Sequence, residues 1–532
     1  MEAMTETAAA TKPPVEMTRS GGFIGTVNLG CRGVDRLFAF AQIVIIAYAF
    51  GASNGADVFF LASIAPLTIG VVVGEALSRS LLTMLTSPQV SASPRELAAA
   101  GALISIAIVA ALTGIYLALA LPLVIWLHPD GSHAIGPWLA FAPLGIALAL
   151  SGYLGGLLVW SHRYVWAALR YPFSGGAALA LLAAAIHFTN GLNTVAAGVS
   201  TGYAIALLPL YAAVATRLGF GWIRHASASG FSAAFAGRRR VGAGVGAGLI
   251  GGQLIVLLER LLAAPLGAGS VSSLAYARGV AGAPALATEA LGAGAYPGFV
   301  RAHSVGDTDF LKQSFLVWFR IAVLLGVAFA AFFIAFGHDL VAVLFERGRF
   351  GVYEVGRAGG MLVAFALSTL AGGVAALFVT TLYGLDRFSG ILYRELGVFC
   401  AYLVLAPSLR YAFGAVGLAW AFSVAQSLGA ILAGGLVVRY LGLGVRGLIR
   451  EGLVPLAPHV VAVCAAFVVI RLAVDDLPWA NNAREGARVG TAALLLVVLG
   501  AVWVMRSTLP EAKRLRALAP RIRRREPRQR SR

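Results

Sequence analysis

The chain has 532 residues, 59% of them hydrophobic and 12% charged, against about 45–50% and about 25% in a soluble globular domain. Soluble domains filling this length would need far more surface charge, so the composition excludes a soluble protein and indicates an all-α integral membrane protein. The net charge of +18 is no nucleic-acid signature, because Arg506 to Arg532 holds eleven Lys or Arg against Glu511 and Glu526, half of that total, with no interleaved aromatic residue.

Residues 1–32 are polar, lack a short apolar core before a small-residue cleavage site, and read as a loose cytoplasmic leader. Beyond them, apolar runs of about 20 residues, the length that crosses a bilayer, recur about fourteen times. Six runs, near 34–52, 57–84, 98–127, 136–160, 163–187 and 193–216, make an N-terminal six-helix bundle over 33–216. A basic cytoplasmic linker follows over 217–240, with Arg217, Arg224 and the run Arg238-Arg239-Arg240. Six more runs, near 241–263, 270–296, 314–337, 357–383, 391–408 and 413–439, make a second bundle over 241–440. Two additional spans near 453–472 and 489–506 occupy 441–506, and an Arg-rich tail fills 507–532.

Basic residues orient this array. The linker, the segment 439–450 and the tail fall on one side, which places both termini in the cytoplasm. Two outer loops, 338–357 and 471–488, break the pattern, each holding Arg together with Asp or Glu. The tail just after the last span suits attraction to anionic lipid, at about 1 kcal/mol per basic residue. Ala65-Pro66 followed by Glu75-Ala76-Leu77 in span two is echoed by Ala283-Pro284 and Glu289-Ala290-Leu291 in span eight. The 6 + 6 + 2 layout suggests two related bundles facing each other, as many transporters are built, and the echo, with proline-to-glutamate spacings of nine and five, is a hint in the same direction.

An ionisable residue inside the bilayer costs about 2.5–3.5 kcal/mol on insertion scales, so the few present should face a cavity or a partner. They are Asp35, Arg36, Asp57, Glu75, Arg79, Arg170, Glu259, Arg260, Arg278, Glu289 and Arg320. Arg79, Arg170 and Arg320 read as interfacial side chains that snorkel to phosphate groups. Arg278 and Glu289 lie deep in one apolar run. Eleven residues is about three helical turns, so on one helix they would share a face as a polar stripe.

Nothing reads as an enzyme. The eight histidines form no metal-binding pair, no phosphate-binding GxxxxGK[ST] loop occurs among only three lysines, and neither metal nor cofactor is expected. Cys31, Cys400 and Cys464 are far apart and read as small apolar fillers.

Three strings are more specific: GASNGADVFFLASIAPLTIGVVVGEAL at 51–77, ERLLAAPLGAGSVSSLAYARGVAGAP at 259–284 and LFERGRF at 344–350. Together they resemble the MurJ/MviN lipid II flippases of the multidrug/oligosaccharidyl-lipid/polysaccharide exporter superfamily. The resemblance implies about 14 transmembrane helices, in two six-helix bundles plus two C-terminal helices. It also implies alternating-access transfer of undecaprenyl-diphosphate-linked peptidoglycan precursor (lipid II) from the inner to the outer leaflet of the bacterial cytoplasmic membrane. On this resemblance Arg36, Arg260 and Arg278 are candidate substrate-binding residues, while Asp57, Glu75 and Glu289 are candidate gating or coupling carboxylates.

The sequence departs from the family pattern at Gln42, Gly70 and Gly279, where the family carries arginine. Implied partners are the polyprenyl-diphosphate-linked glycan and cell-wall synthesis proteins. Three alternatives stand beside this reading. One is a flippase for another polyprenyl-linked glycan, of the O-antigen or exopolysaccharide type. A cation-coupled drug exporter would want acidic cavity residues, and the arginines argue against it. The third is a non-transporting envelope-synthesis scaffold acting through the tail.

Overall fold

The computed structural model describes residues 15–85, 93–127, 135–189, 191–236, 252–475, 486 and 488–492, and all regular structure among them is helical. The first group of helices is α1 (Val15–Phe50), α2 (Asn54–Leu85), α3 (Pro94–Leu127), α4 (Ile135–Trp160), α5 (Tyr164–Phe188), α6 (Leu192–Ile205) and α7 (Leu207–Leu218), with a short α8 (Ala228–Ala236) after it. The second group is α9 (252–263), α10 (Ser270–Ala281), α11 (Ala285–Ser304), α12 (Thr308–Phe345), α13 (Val352–Gly384) and α14 (Phe388–Leu441). A short α15 (Gly444–Gly447) and the π-helical turn Leu448–Leu453 lead into α16 (Ala457–Asp475), which packs on α12.

Ten helices among the described residues are long and apolar enough to cross a membrane. One of them, α14, contains both runs expected at 391–408 and 413–439, joined across Gly414 at φ 59° and ψ −137°. The run at 193–216 is divided into α6 and α7 at Ala206. The expected loose leader is helical from Val15 onward, because α1 begins well before its apolar stretch. Residues 1–14, Arg238 to Arg240, most of the span expected at 489–506, and the tail 507–532 lie outside the described residues.

Small residues set the closest packing. A Cβ at Gly70 would meet the Gly145 carbonyl oxygen at 2.5 Å, and one at Gly74 would meet that of Ala149 at 2.8 Å. The backbones of α2 and α4 therefore touch, as dense Gly and Ala allow where lipid supplies no hydrophobic drive between helices.

Among the described residues the large core shared by the two groups sits at one end. A single apolar cluster runs through both, from Ile46, Phe59, Phe60 and Phe141 to Tyr276, Phe345, Phe350 and Met361. Toward the other end each group has its own cluster. One is built on Leu77, Leu97, Tyr153 and Leu157, the other on Phe299, Phe315, Phe378 and Leu382.

Candidate functional site at the seam between the halves

The shared end is where α1 turns into α2, α9 into α10, and α12 into α13. Asp57, in the first turn of α2, is buried, and its carboxylate accepts the N–H groups of Gly269 and Ser272, each at 2.7 Å. Gly269 is the N-cap of α10 and has φ 78°, a conformation glycine adopts freely. A carboxylate of one half therefore caps a helix of the other half, satisfying orphan N–H donors at the positive end of the helix dipole.

Other contacts close the same seam. The fully buried Tyr276 donates its hydroxyl to the Gly51 carbonyl at 2.7 Å. Its ring packs against Phe60, Phe345 and Phe350 at 5.4–5.5 Å. The 344–350 string folds into a turn that docks on α1, with the Arg349 N–H on the Tyr48 carbonyl at 3.1 Å. Arg357 donates to the Ala268 carbonyl at 2.8 Å and to the Ser270 hydroxyl. Arg260 donates to the Phe60 carbonyl at 2.5 Å and lies over the Phe60 ring.

Behind the seam, Arg278 makes a two-point ion pair with Glu259, through Nε to Oε1 at 3.1 Å and through Nη2 to Oε2. The Glu259 side chain is 2% exposed and that of Arg278 21%. The guanidinium also lies 4.0 Å from the Phe422 ring centre and 5.0 Å from that of Phe365, a cation–π arrangement.

The expected polar stripe of Arg278 and Glu289 does not form. The chain turns at 282–284 between α10 and α11, so the two residues sit on different helices and the three-turn argument does not apply. Glu289 lies on α11, and its side chain is outside the described residues. Two interfacial arginines also prove to be structural partners. Arg170 is 11% exposed, pairs with Glu75 at 2.5 Å and donates to the Tyr171 hydroxyl at 2.7 Å. Arg320 donates through Nε and Nη2 to the Glu451 carbonyl in the π-helical turn. Arg79 has its side chain outside the described residues.

The structure thus brings Asp57, Arg260 and Arg278 to the region where α2 meets α9 and α10. Glu75 stays within the N-terminal half with Arg170, and Arg36 is exposed on α1. Sequence reading named Glu259 as a buried charge without finding its partner. The signal was present: Glu259 and Arg278 are equidistant from the Ala268–Gly269 turn, so antiparallel helices place them side by side.

The model of the family described as "Lipid II flippase MurJ" matches residues 46–476. The chain belongs to the MurJ lipid II flippase family. Arg36 lies just outside the matched stretch. No curated protein matches the chain. Among solved structures, a lipid II flippase MurJ in an inward closed conformation aligns with TM-score 0.68 and 14% identity, over 92% of this chain and 99% of that one. An inward-facing MATE-family multidrug resistance transporter aligns with TM-score 0.65 and 14% identity, over 79% and 98%. A Vibrio cholerae MATE transporter aligns with TM-score 0.55 and 15% identity, over 81% and 98%. At such identities the structural likeness establishes the fold. This MurJ-family chain is a multi-pass membrane protein of a transporter family.

Proposed function

We propose that this MurJ-family chain moves a polyprenyl-diphosphate-linked glycan of the lipid II type from the inner to the outer leaflet of the bacterial cytoplasmic membrane by alternating access. Two six-helix bundles, 33–216 and 241–440, rock against each other about the basic linker 217–240. Both termini are cytoplasmic. The observation that carries this reading is the Asp57 cap on α10, which joins the halves through two hydrogen bonds that can break and re-form. A shared core at the capped end and separate cores at the other end fit a cavity open to the cytoplasm. A diphosphate cannot cross hydrocarbon unpartnered, and Arg36, exposed on α1, is the cation we assign to it. Arg260 and Arg278 act beside it, the first holding the seam and the second orienting the headgroup. Glu75 and Glu289 remain candidate coupling carboxylates.

The test is complementation in a bacterium depleted of its own lipid II flippase, with membrane expression matched. Wild type should restore growth. Asp57→Ala should fail to restore it, and Arg36→Ala should restore it weakly. Rescue by both variants would remove the latch and the phosphate partner together. Loss of rescue on deleting 507–532, with both point variants silent, would favour the scaffold reading.

A further inference from the structure

Where α10 stops and α11 begins, a partly open pocket of about 190 Å³ is left against α13 and α14. It has room for about six waters at about 30 Å³ each, the bulk of one sugar ring. Its polar lining is Arg278, Thr288, Ser368 and Thr369, and its aromatic lining is Phe365 and Phe422. Each hydroxyl already donates to a helix carbonyl: Thr288 to Ala285 at 2.9 Å, Ser368 to Phe365 at 2.7 Å and Thr369 to Phe365 at 3.3 Å. Their oxygen lone pairs are what they have left to offer, so toward a ligand all three are acceptors.

The donor is Arg278. Its Nε and Nη2 are held by Glu259, while Nη1 has no hydrogen-bond partner among the described residues. The Glu259 carboxylate offsets the guanidinium charge, so among the described residues the lining offers an N–H donor edge, three acceptor oxygens and apolar rings without net charge. A phosphate would meet acceptor oxygens and a cation already paired. A neutral polyol ring matches the set, with hydroxyls that accept from Nη1 and donate to the three oxygens, and C–H faces against the phenyl rings.

We propose that this pocket is a neutral-sugar subsite holding one pyranose ring of the transported headgroup. The proposal rests on the flippase reading and adds which part of the substrate the C-terminal half recognises.

Gly372 supplies the test, because a Cβ there meets nothing within 4 Å. Gly372→Leu therefore starts without a clash at its Cβ and takes up pocket volume from the lining. The full chain in lipid nanodiscs would be titrated with lipid II and with undecaprenyl diphosphate, which has no sugar, and its melting temperature read with and without free N-acetylglucosamine. Wild type should prefer lipid II by about tenfold, the worth of one or two hydrogen bonds. Gly372→Leu should bind both lipids equally, at the wild-type affinity for the bare diphosphate. Free N-acetylglucosamine should raise the melting temperature of wild type and not of the variant.

Equal binding of the two lipids by wild type, or a preference that survives Gly372→Leu, overturns the subsite and leaves the flippase reading standing. Binding of neither lipid removes the flippase reading. The free sugar then decides the pocket: a shift confined to wild type keeps it as a sugar site, and no shift overturns it. If Gly372→Leu fails to fold, Thr369→Val takes its place, and should lower the lipid II preference while leaving the bare diphosphate unchanged.

Discussion

Ala65-Pro66 sits inside α2, a continuous helix of 32 residues, whereas Ala283-Pro284 closes α10 and opens α11. A proline inside a helix removes one hydrogen bond and crowds the preceding turn, at about 3 kcal/mol or more. In the N-terminal half the next turn of α2 is pressed on α4 through Gly70 and Gly74, so the helix is held continuous by packing. In the C-terminal half Gly282 lies two residues before the proline. The Gly282 and Ala283 N–H groups find the Arg278 and Val280 carbonyls at 2.9 and 3.0 Å, which ends α10 cleanly. The same dipeptide therefore yields a continuous span or a break, and neighbouring glycines help decide which. The break opens the pocket beside Arg278, and the continuous span carries the latch at Asp57.

The largest expected effect tests the C-terminal half. Arg278→Ala strands the carboxylate of Glu259, which is 2% exposed. Removing one partner of a buried pair costs about 3–5 kcal/mol. The melting temperature in detergent should fall sharply, and adding Glu259→Gln to the same chain should recover at least half of the fall. A double variant no better than the single one would show that the pair is not a coupled unit.

Next comes the contrast between Gly70 and Gly279, both standing where the family carries arginine. A Cβ at Gly70 would meet Gly145 backbone and the Leu148 Cβ at 2.5–3.0 Å, whereas one at Gly279 would meet the mobile tip of Ile43 at 2.8 Å. Gly70→Ala should therefore destabilise by about 1–3 kcal/mol, as overpacking does. Gly279→Ala should be nearly neutral or slightly stabilising, since alanine is the better helix former. Thermal melts of the two variants side by side check this, and equal melting would mean that the α2–α4 contact is looser than it looks.

The all-helical membrane fold and the family were legible because lipid forces long apolar helices and because the 51–77 and 259–284 strings are specific. The breaks were less so: Gly282 before Pro284 is visible in the sequence, but the packing of Gly70 and Gly74 on α4 that holds α2 continuous past Pro66 is not. Among site residues, Asp57 was found as an acid, but its role as a cap in trans depends on which helix faces it. The two loops expected outside that break the charge rule have a physical account. Arg471 and Arg488 both donate to the buried Asp339, at 2.5 and 3.0 Å, tying α16 and the segment 488–492 to α12. Arg349 and Arg357 help close the seam. Those arginines serve contacts within the protein and so escape a rule about topology.

The smallest expected effect concerns Gln42, the third place where the family's arginine is absent. Its side-chain amide donates to the Gly175 carbonyl at 3.2 Å, joining α1 to α5. Gln42→Ala should cost about 0.5–1.5 kcal/mol, the net worth of one hydrogen bond, with little change in transport. Gln42→Arg asks a sharper question, because α1 is more exposed than α2 and α4 and Gln42 is only partly buried on it. If the C-terminal half reads a neutral sugar while Arg36 alone meets phosphate, a second cation on α1 should tighten bare undecaprenyl diphosphate more than it tightens lipid II. The preference for the glycosylated lipid would then narrow while both affinities rise. A uniform gain would mean that the two halves recognise the same part of the headgroup.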